Sequence, residues 1–97
     1  MFKELDPLLH SQLRLSIISL LIGVKSATFT FLLEKTGASR GNISVQLKKL
    51  EEAGYIIINK TFQDNYPHTV CRMTPKGIEA FEKYVDALRD YLIRPGQ

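Results

Sequence analysis

The stretch SRGNISVQLKKLEEAGYIII, residues 39–58, holds the densest set of groups in this chain that can recognise another molecule. Ile43, Leu47 and Leu50 recur at helical spacing and mark a buried face. At about 100° per residue, the opposite face carries Gly41, Val45, Lys48, Lys49 and Glu52, with Arg40, Asn42 and Ser44 at its N-terminal edges. Ser39, immediately before, is a good N-cap. The outward groups match the chemistry of a DNA groove. The Arg40 fork fits guanine O6 and N7, the Asn42 carboxamide can pair with adenine, and Val45 can meet a thymine methyl. Gly41 lets the backbone come close, and the unpaired N–H groups of a first helical turn suit a phosphate. Gly41 and Asn42 are also poor helix formers. The first turn gives up stability for access.

Other chemistries are missing from the pattern. There is no glycine-rich phosphate loop, no nucleophile elbow and no paired acids in a catalytic motif, so the reading is a binding protein and not an enzyme. His10, His68 and Cys71 do not fall at metal-ligand spacing, so neither a metal nor another cofactor is expected. Cys71 alternates with Thr69 and Met73 and reads as a small buried apolar residue. One cysteine allows no internal disulfide, which fits a reducing, cytoplasmic setting. The apolar run from Ile17 to Ile22 is far short of the roughly 20 residues of a membrane span, and Lys3, Glu4 and Asp6 break up any signal-peptide pattern.

The elements that must position residues 39–58 follow from caps and periodicity. Asp6-Pro7 is a cap followed by proline at the first helical position, and predicts a helix over 7–22 that Gly23 stops. After an extended link over 25–28, Phe29, Leu32 and Leu33 mark a second helix, ended by Gly37. Two helices joined by so tight a turn are the mark of a helix-turn-helix. The third helix spans 40–53. Two extended runs, 55–62 and 68–74, flank a turn-rich loop over 63–67 and predict a hairpin. Thr74-Pro75 repeats the cap-plus-proline device and opens a last helix over 75–93. The fold class is α+β, mainly α: a winged helix-turn-helix in one domain over 1–97, with an added C-terminal helix.

Two further patterns bear on partners. The chain carries a net charge of +3, most of it between residues 26 and 75, which suits a polyanion. In the last helix Ile78, Phe81, Val85, Leu88 and Leu92 repeat at 3–4 spacing beside a second stripe of Ala80, Tyr84, Ala87 and Tyr91. One stripe can cover the core while the other meets a second copy. Together with the dense apolar face of the first helix, this predicts a homodimer contact through Leu9, Leu13, Ile17, Phe81, Tyr84, Leu88 and Tyr91.

The residues GNISVQLKKLEEAGYIII followed by TPKGIEAF resemble the small winged-helix transcriptional regulators related to the MarR and ArsR groups. Gly41, Asn42, Ser44, Leu47, Leu50, Glu51, Gly54, Tyr55, Thr74, Pro75, Gly77, Ala80 and Phe81 carry the likeness, over about residues 5–92. The resemblance implies a homodimeric regulator binding double-stranded DNA, with the third helix in the major groove and the hairpin near the minor groove. The chain departs from the pattern at Gln46, where these regulators usually have histidine. It departs again in the wing, which has no Lys or Arg between Phe62 and Val70. Lys60, Tyr66, His68 and Arg72 are the wing residues expected to reach DNA. The rival readings are a winged-helix protein–protein module and a chromosomal DNA binder without sequence choice. Operator and effector are not encoded in any pattern found.

Overall fold

The computed structural model describes residues 2–92. Its elements are α1 (Gln12–Ile22), β1 (Ala27–Thr28), α2 (Phe29–Thr36), α3 (Arg40–Glu52), β2 (Ile56–Gln63), β3 (Tyr66–Met73) and α4 (Pro75–Leu92). The expected end of the last helix at residue 93 lies outside the described residues.

The turn between α2 and α3 forms for the reasons its residues predict. Gly37 ends α2 in the left-handed region at φ 71°, and its N–H donates to the Leu33 carbonyl. Ser39 Oγ then accepts from the Asn42 N–H at 3.2 Å and starts α3. At the far end of α3, Gly54 takes φ +80°. The Gly54 N–H donates to Glu51 O and the Tyr55 N–H to Leu50 O, which closes a Schellman cap. Ile43, Leu47 and Leu50 point from α3 into a core shared with Leu9, Ile17, Ile18, Leu21, Leu32, Ile56, Cys71 and Tyr84.

The sheet has the order β1-β3-β2 and is antiparallel throughout. β1 occupies the expected extended link; two residues are too short for a period-2 signal, and only its pairing of Ala27 with Cys71 and Thr28 with Val70 makes it a strand. The hairpin turn is tighter than expected. Asp64 and Asn65 both adopt positive φ, at 50° and 66°, and form a two-residue turn, so Gln63 pairs with Tyr66 and the strands continue to the tip. Aspartate and asparagine tolerate this backbone better than other non-glycine residues.

The N-terminus departs from expectation more strongly. Asp6 does cap a turn, with Oδ1 accepting from the Leu8 N–H and its carbonyl from the His10 N–H. Ser11 is extended at φ −150°, ψ 128°, and breaks the chain's helical path. Helix α1 therefore begins at Gln12, five residues later than Pro7 promised. The break drops Leu9 into the core.

α4 packs on the body through Gly77, Tyr84 and Ala87, with residues 2–11 alongside. Thr74 Oγ1 accepts from the Gly77 N–H at 3.0 Å and donates to Gly54 O at 2.6 Å. A Cβ at Gly77 would collide with the Tyr55 carbonyl and lie 2.7 Å from Met73 Cε, so the helix start, the end of α3 and the hairpin root can meet only over glycine. Further along, Lys3 Nζ reaches Asp86 Oδ2 at 2.6 Å, and Phe2 stacks on Tyr91 at 4.6 Å between ring centroids.

Candidate nucleic-acid interface

Three kinds of residue line one side of the molecule: the first turn and outer face of α3, the α2 residue beneath it, and the β2–β3 hairpin. Arg40, Gly41, Asn42, Ser44, Val45, Lys48 and Lys49 are all exposed, and Val45 keeps 52% of its surface open despite being apolar. Gly41 has nothing within 4 Å of where a Cβ would stand, so this protein's own packing does not require glycine there. Ser39 caps the Asn42 N–H, which leaves the Arg40 and Gly41 N–H groups of the first turn without an intrahelical partner.

The α3 face divides into two shoulders. Towards the hairpin, Arg40, Ser44, Lys48 and Glu51 join Phe29, Lys60 and Thr69 around a groove of about 730 Å³. Arg40 lies over the Phe29 ring, with Cζ 5.6 Å from its centroid, so its guanidinium is held at the mouth of this groove by cation–π attraction. A smaller recess of about 370 Å³ continues along Arg40 and Phe29 to Tyr66, Pro67 and His68. Neither ion pair among the described residues involves Arg40, Lys48, Lys49 or Lys60.

On the other shoulder, beside α1, a residue set apart in the sequence as a departure becomes structural. Gln46 Oε1 accepts from Arg14 Nη1 at 2.6 Å, and Gln46 Nε2 donates to Asn42 Oδ1 at 2.9 Å. Arg14 is itself fixed by Nε donating to the Leu8 carbonyl at 2.6 Å. Sequence reasoning overlooked Arg14, Gln46 and Phe29 as site residues. The four-residue step from Asn42 to Gln46 was a readable signal, because such pairs stack on one helix face; Arg14 and Phe29 had none.

Register corrects one wing assignment. Lys60 pairs with Thr69 and shares a sheet face with Ile58 and Cys71, the face towards α3. Arg72 pairs with Ile57, and side chains alternate along a strand, so Arg72 stands on the opposite face, away from the groove. The proposed dimer residues need a similar correction. Leu9, Ile17 and Tyr84 are buried in the chain's own core and offer nothing to a second copy; Tyr84 also hydrogen-bonds His10 Nδ1 at 3.0 Å. Leu13, Phe81 and Leu88 are half-buried against the core, and Tyr91 is partly covered by Phe2. The large apolar residues that α4 leaves exposed are Ile78, Tyr91 and Leu92, at 40%, 41% and 72%; Val85, half-buried, stands seven residues from both Ile78 and Leu92.

Cys71 is fully buried, and burial, with a smaller effect from Glu51, pushes its thiol up to about 11. Among the described residues, no group of three or more His, Cys, Asp and Glu could hold a metal ion, and no helix is long and apolar enough to cross a membrane.

A family profile described as a winged helix DNA-binding domain matches residues 13–92. The chain belongs to this family. The winged-helix assignment agrees with the three-helix core, hairpin and C-terminal helix described above. An uncharacterized protein of Methanocaldococcus jannaschii is 36% identical over 76 residues, which cover 78% of this chain and 83% of that one. Among solved structures, a transcriptional regulator homologue from Pyrococcus horikoshii superposes with a TM-score of 0.81 at 25% identity, covering 88% of this chain and 84% of that chain. A MarR variant from E. coli gives a TM-score of 0.73 at 16% identity, covering 89% of this chain and 62% of that chain, a likeness of fold. The chain is thus a winged-helix protein of the DNA-binding kind, and its structural neighbours include a transcriptional regulator homologue and a MarR protein, in line with the resemblance.

Proposed function

We propose that this protein is a cytoplasmic, homodimeric regulator of transcription that binds double-stranded DNA with sequence choice. Helix α3 enters the major groove, and the hairpin follows the backbone towards the minor groove. The observation that carries this reading is the outer face of α3. Arg40, Lys48 and Lys49 stand there outside any ion pair among the described residues, with Lys60 across the groove and a capped, glycine-containing first turn at the reading end. Ser39, Gly41 and the N–H groups of that turn hold phosphate. Asn42, Ser44 and Val45 face base edges, and Tyr66 and His68 lie along the flanking backbone. The second copy docks on Ile78, Val85 and Leu92 of α4, whose seven-residue spacing is that of a helical seam.

Two measurements test the reading. Sedimentation equilibrium at micromolar concentration is expected to give a dimer mass, and Val85→Glu a monomer; a monomer mass for the parent removes the dimer. Selection from a random duplex pool is expected to enrich a two-fold symmetric site, and excess unrelated DNA should not displace it. Enrichment without any sequence makes the protein a general chromosomal binder. A specific observation favours a second reading: Phe62 and Tyr66, at the hairpin tip, are 76% and 75% exposed. Exposed aromatic residues suit a protein partner, and absence of DNA binding at low salt would support a winged-helix protein–protein module.

A further inference from the structure

We propose that Arg14 and Gln46 set the hydrogen-bonding polarity that Asn42 offers to a base, so that two residues outside the reading surface decide which bases it accepts. The inference rests on the DNA-binding reading above.

A carboxamide can turn either its oxygen or its nitrogen outward, and the two ends look alike in shape. Here the choice is fixed from behind. The Arg14 guanidinium has donors and no acceptor, so the Gln46 atom 2.6 Å from its Nη1 has to be the oxygen. The Gln46 nitrogen then faces Asn42, and the Asn42 atom 2.9 Å away has to be its oxygen. The remaining end of Asn42 is an NH2 group, and it is the end turned away from Gln46. The origin of the chain is firm, because Arg14 Nε is spent on the Leu8 carbonyl and Arg14 and Gln46 are both half-buried, while Asn42 is exposed.

This changes which bases suit Asn42. Pairing with adenine needs the asparagine oxygen aimed at the N6 amino group, and here that oxygen is turned towards Gln46. An outward NH2 fits O6 of guanine and O4 of thymine, which stand where adenine and cytosine carry amino groups; purine N7 also accepts, but guanine and adenine share it and it does not tell them apart. Asn42 is therefore a reader of keto bases, and Arg14 and Gln46 are its positioning residues.

The decisive variant is Gln46→Glu. One carboxylate oxygen keeps the Arg14 contact, and the other, which can only accept, faces Asn42. Asn42 must turn its NH2 inward and its oxygen outward. In selections from a random duplex pool, Asn42→Ala identifies the position that Asn42 reads. At that position the parent is expected to enrich guanine or thymine. Gln46→Glu should enrich adenine or cytosine, with a roughly five- to tenfold reversal of the ratio, the low end of what a base contact discriminates. Gln46→Leu should flatten the preference. Nitrogen-15 spectra of the side-chain amides in the DNA-free protein read the relay separately. The Gln46 NH2 protons should exchange slowly in the parent, and the Asn42 NH2 protons should become the slow pair in Gln46→Glu. If the parent selects a sequence but Gln46→Glu leaves the base unchanged, or weakens all sequences alike, the proposal is overturned. If the amide spectra show no such exchange of roles, it is overturned whatever the DNA result. If the spectra show it and the parent selects no sequence, the polarity stands and the DNA reading falls.

Discussion

The first turn of α3 and the tip of the β2–β3 hairpin flank the same side of the molecule, yet they are made of opposite materials. The helix presents Arg40, Lys48 and Lys49 with small residues between them. The tip, from Phe62 to Thr69, has no lysine or arginine, one aspartate, and two aromatic residues, Phe62 and Tyr66, that are about three-quarters exposed. Only Lys60, further down β2, puts a fixed positive charge on the hairpin's groove side. The difference teaches where affinity comes from in the proposed complex. Charge neutralisation belongs to the helix and the hairpin stem, and the tip contributes contact area without counterion release.

The largest effect that could break this division is ionic. For a dimer touching roughly 6–10 phosphates, affinity should fall by about 10³ between about 50 and 200 mM salt, the low end of the range for that many contacts. Lys49→Ala and Lys60→Ala should each flatten the logarithmic salt slope by about 2 units, about 1 for each copy in the dimer, whereas Tyr66→Ala should leave the slope unchanged. A titration in which Tyr66→Ala changes the slope as much as Lys60→Ala would erase the distinction between stem and tip.

Two glycines sharpen the comparison next. Gly77→Ala forces a methyl into the Tyr55 carbonyl at the hairpin root, and should destabilise the fold by about 1–3 kcal/mol or more. Gly41→Ala meets open space. It should stabilise α3 by up to about 0.5–1 kcal/mol while weakening DNA binding, because only a close-lying phosphate would feel the methyl. Thermal melting beside a binding isotherm checks both variants. If Gly41→Ala binds as well as the parent, the backbone does not approach DNA there.

The smallest effect is at the hairpin root. The Tyr55 hydroxyl donates to Asp6 Oδ2, and burial, then this hydrogen bond, pushes its pKa up to about 12 from an ordinary 10.0. The folded state thus holds this proton more tightly than the unfolded chain. Stability should decline as pH rises from about 10 towards about 12, and the decline should be shallower in Tyr55→Phe when followed by denaturant unfolding. An identical alkaline slope in both proteins would mean the Tyr55–Asp6 contact adds nothing.

Much of this was legible in the sequence because it is local. Gly37, Ser39, Gly54 and Thr74 each act through caps written within a few residues, so the ends of α2, α3 and α4 could be read directly. Periodicity likewise separated Ile43, Leu47 and Leu50 from the outer face of α3. What escaped depends on distant pairing. β1 exists only through Cys71 and Val70, Arg72 is turned away by register, and Ser11 breaks the first helix although nothing in its neighbours forbids helix. In α4 both apolar stripes were visible. Which one the body would cover could not be read, since that depends on residues 2–11 folding back along the helix. The Arg14–Gln46–Asn42 relay spans 32 residues between its first two members and left only the Asn42–Gln46 step as a trace.

The sheet has three strands only at its base. β1 pairs with β3 at Cys71 and Val70, and beyond those positions the hairpin is a two-stranded ribbon whose residues from Asn59 to Pro67 are all exposed. An isolated two-stranded ribbon is marginal in water. Amide protons along it therefore keep two clocks. Those at Ile56 and Cys71, under the core, wait for the whole molecule to open. Those near Asp64 and Asn65 are released by local fraying, which needs far less free energy. The arm that reaches furthest from the body is also the part that can refit its shape without disturbing the helices that carry it.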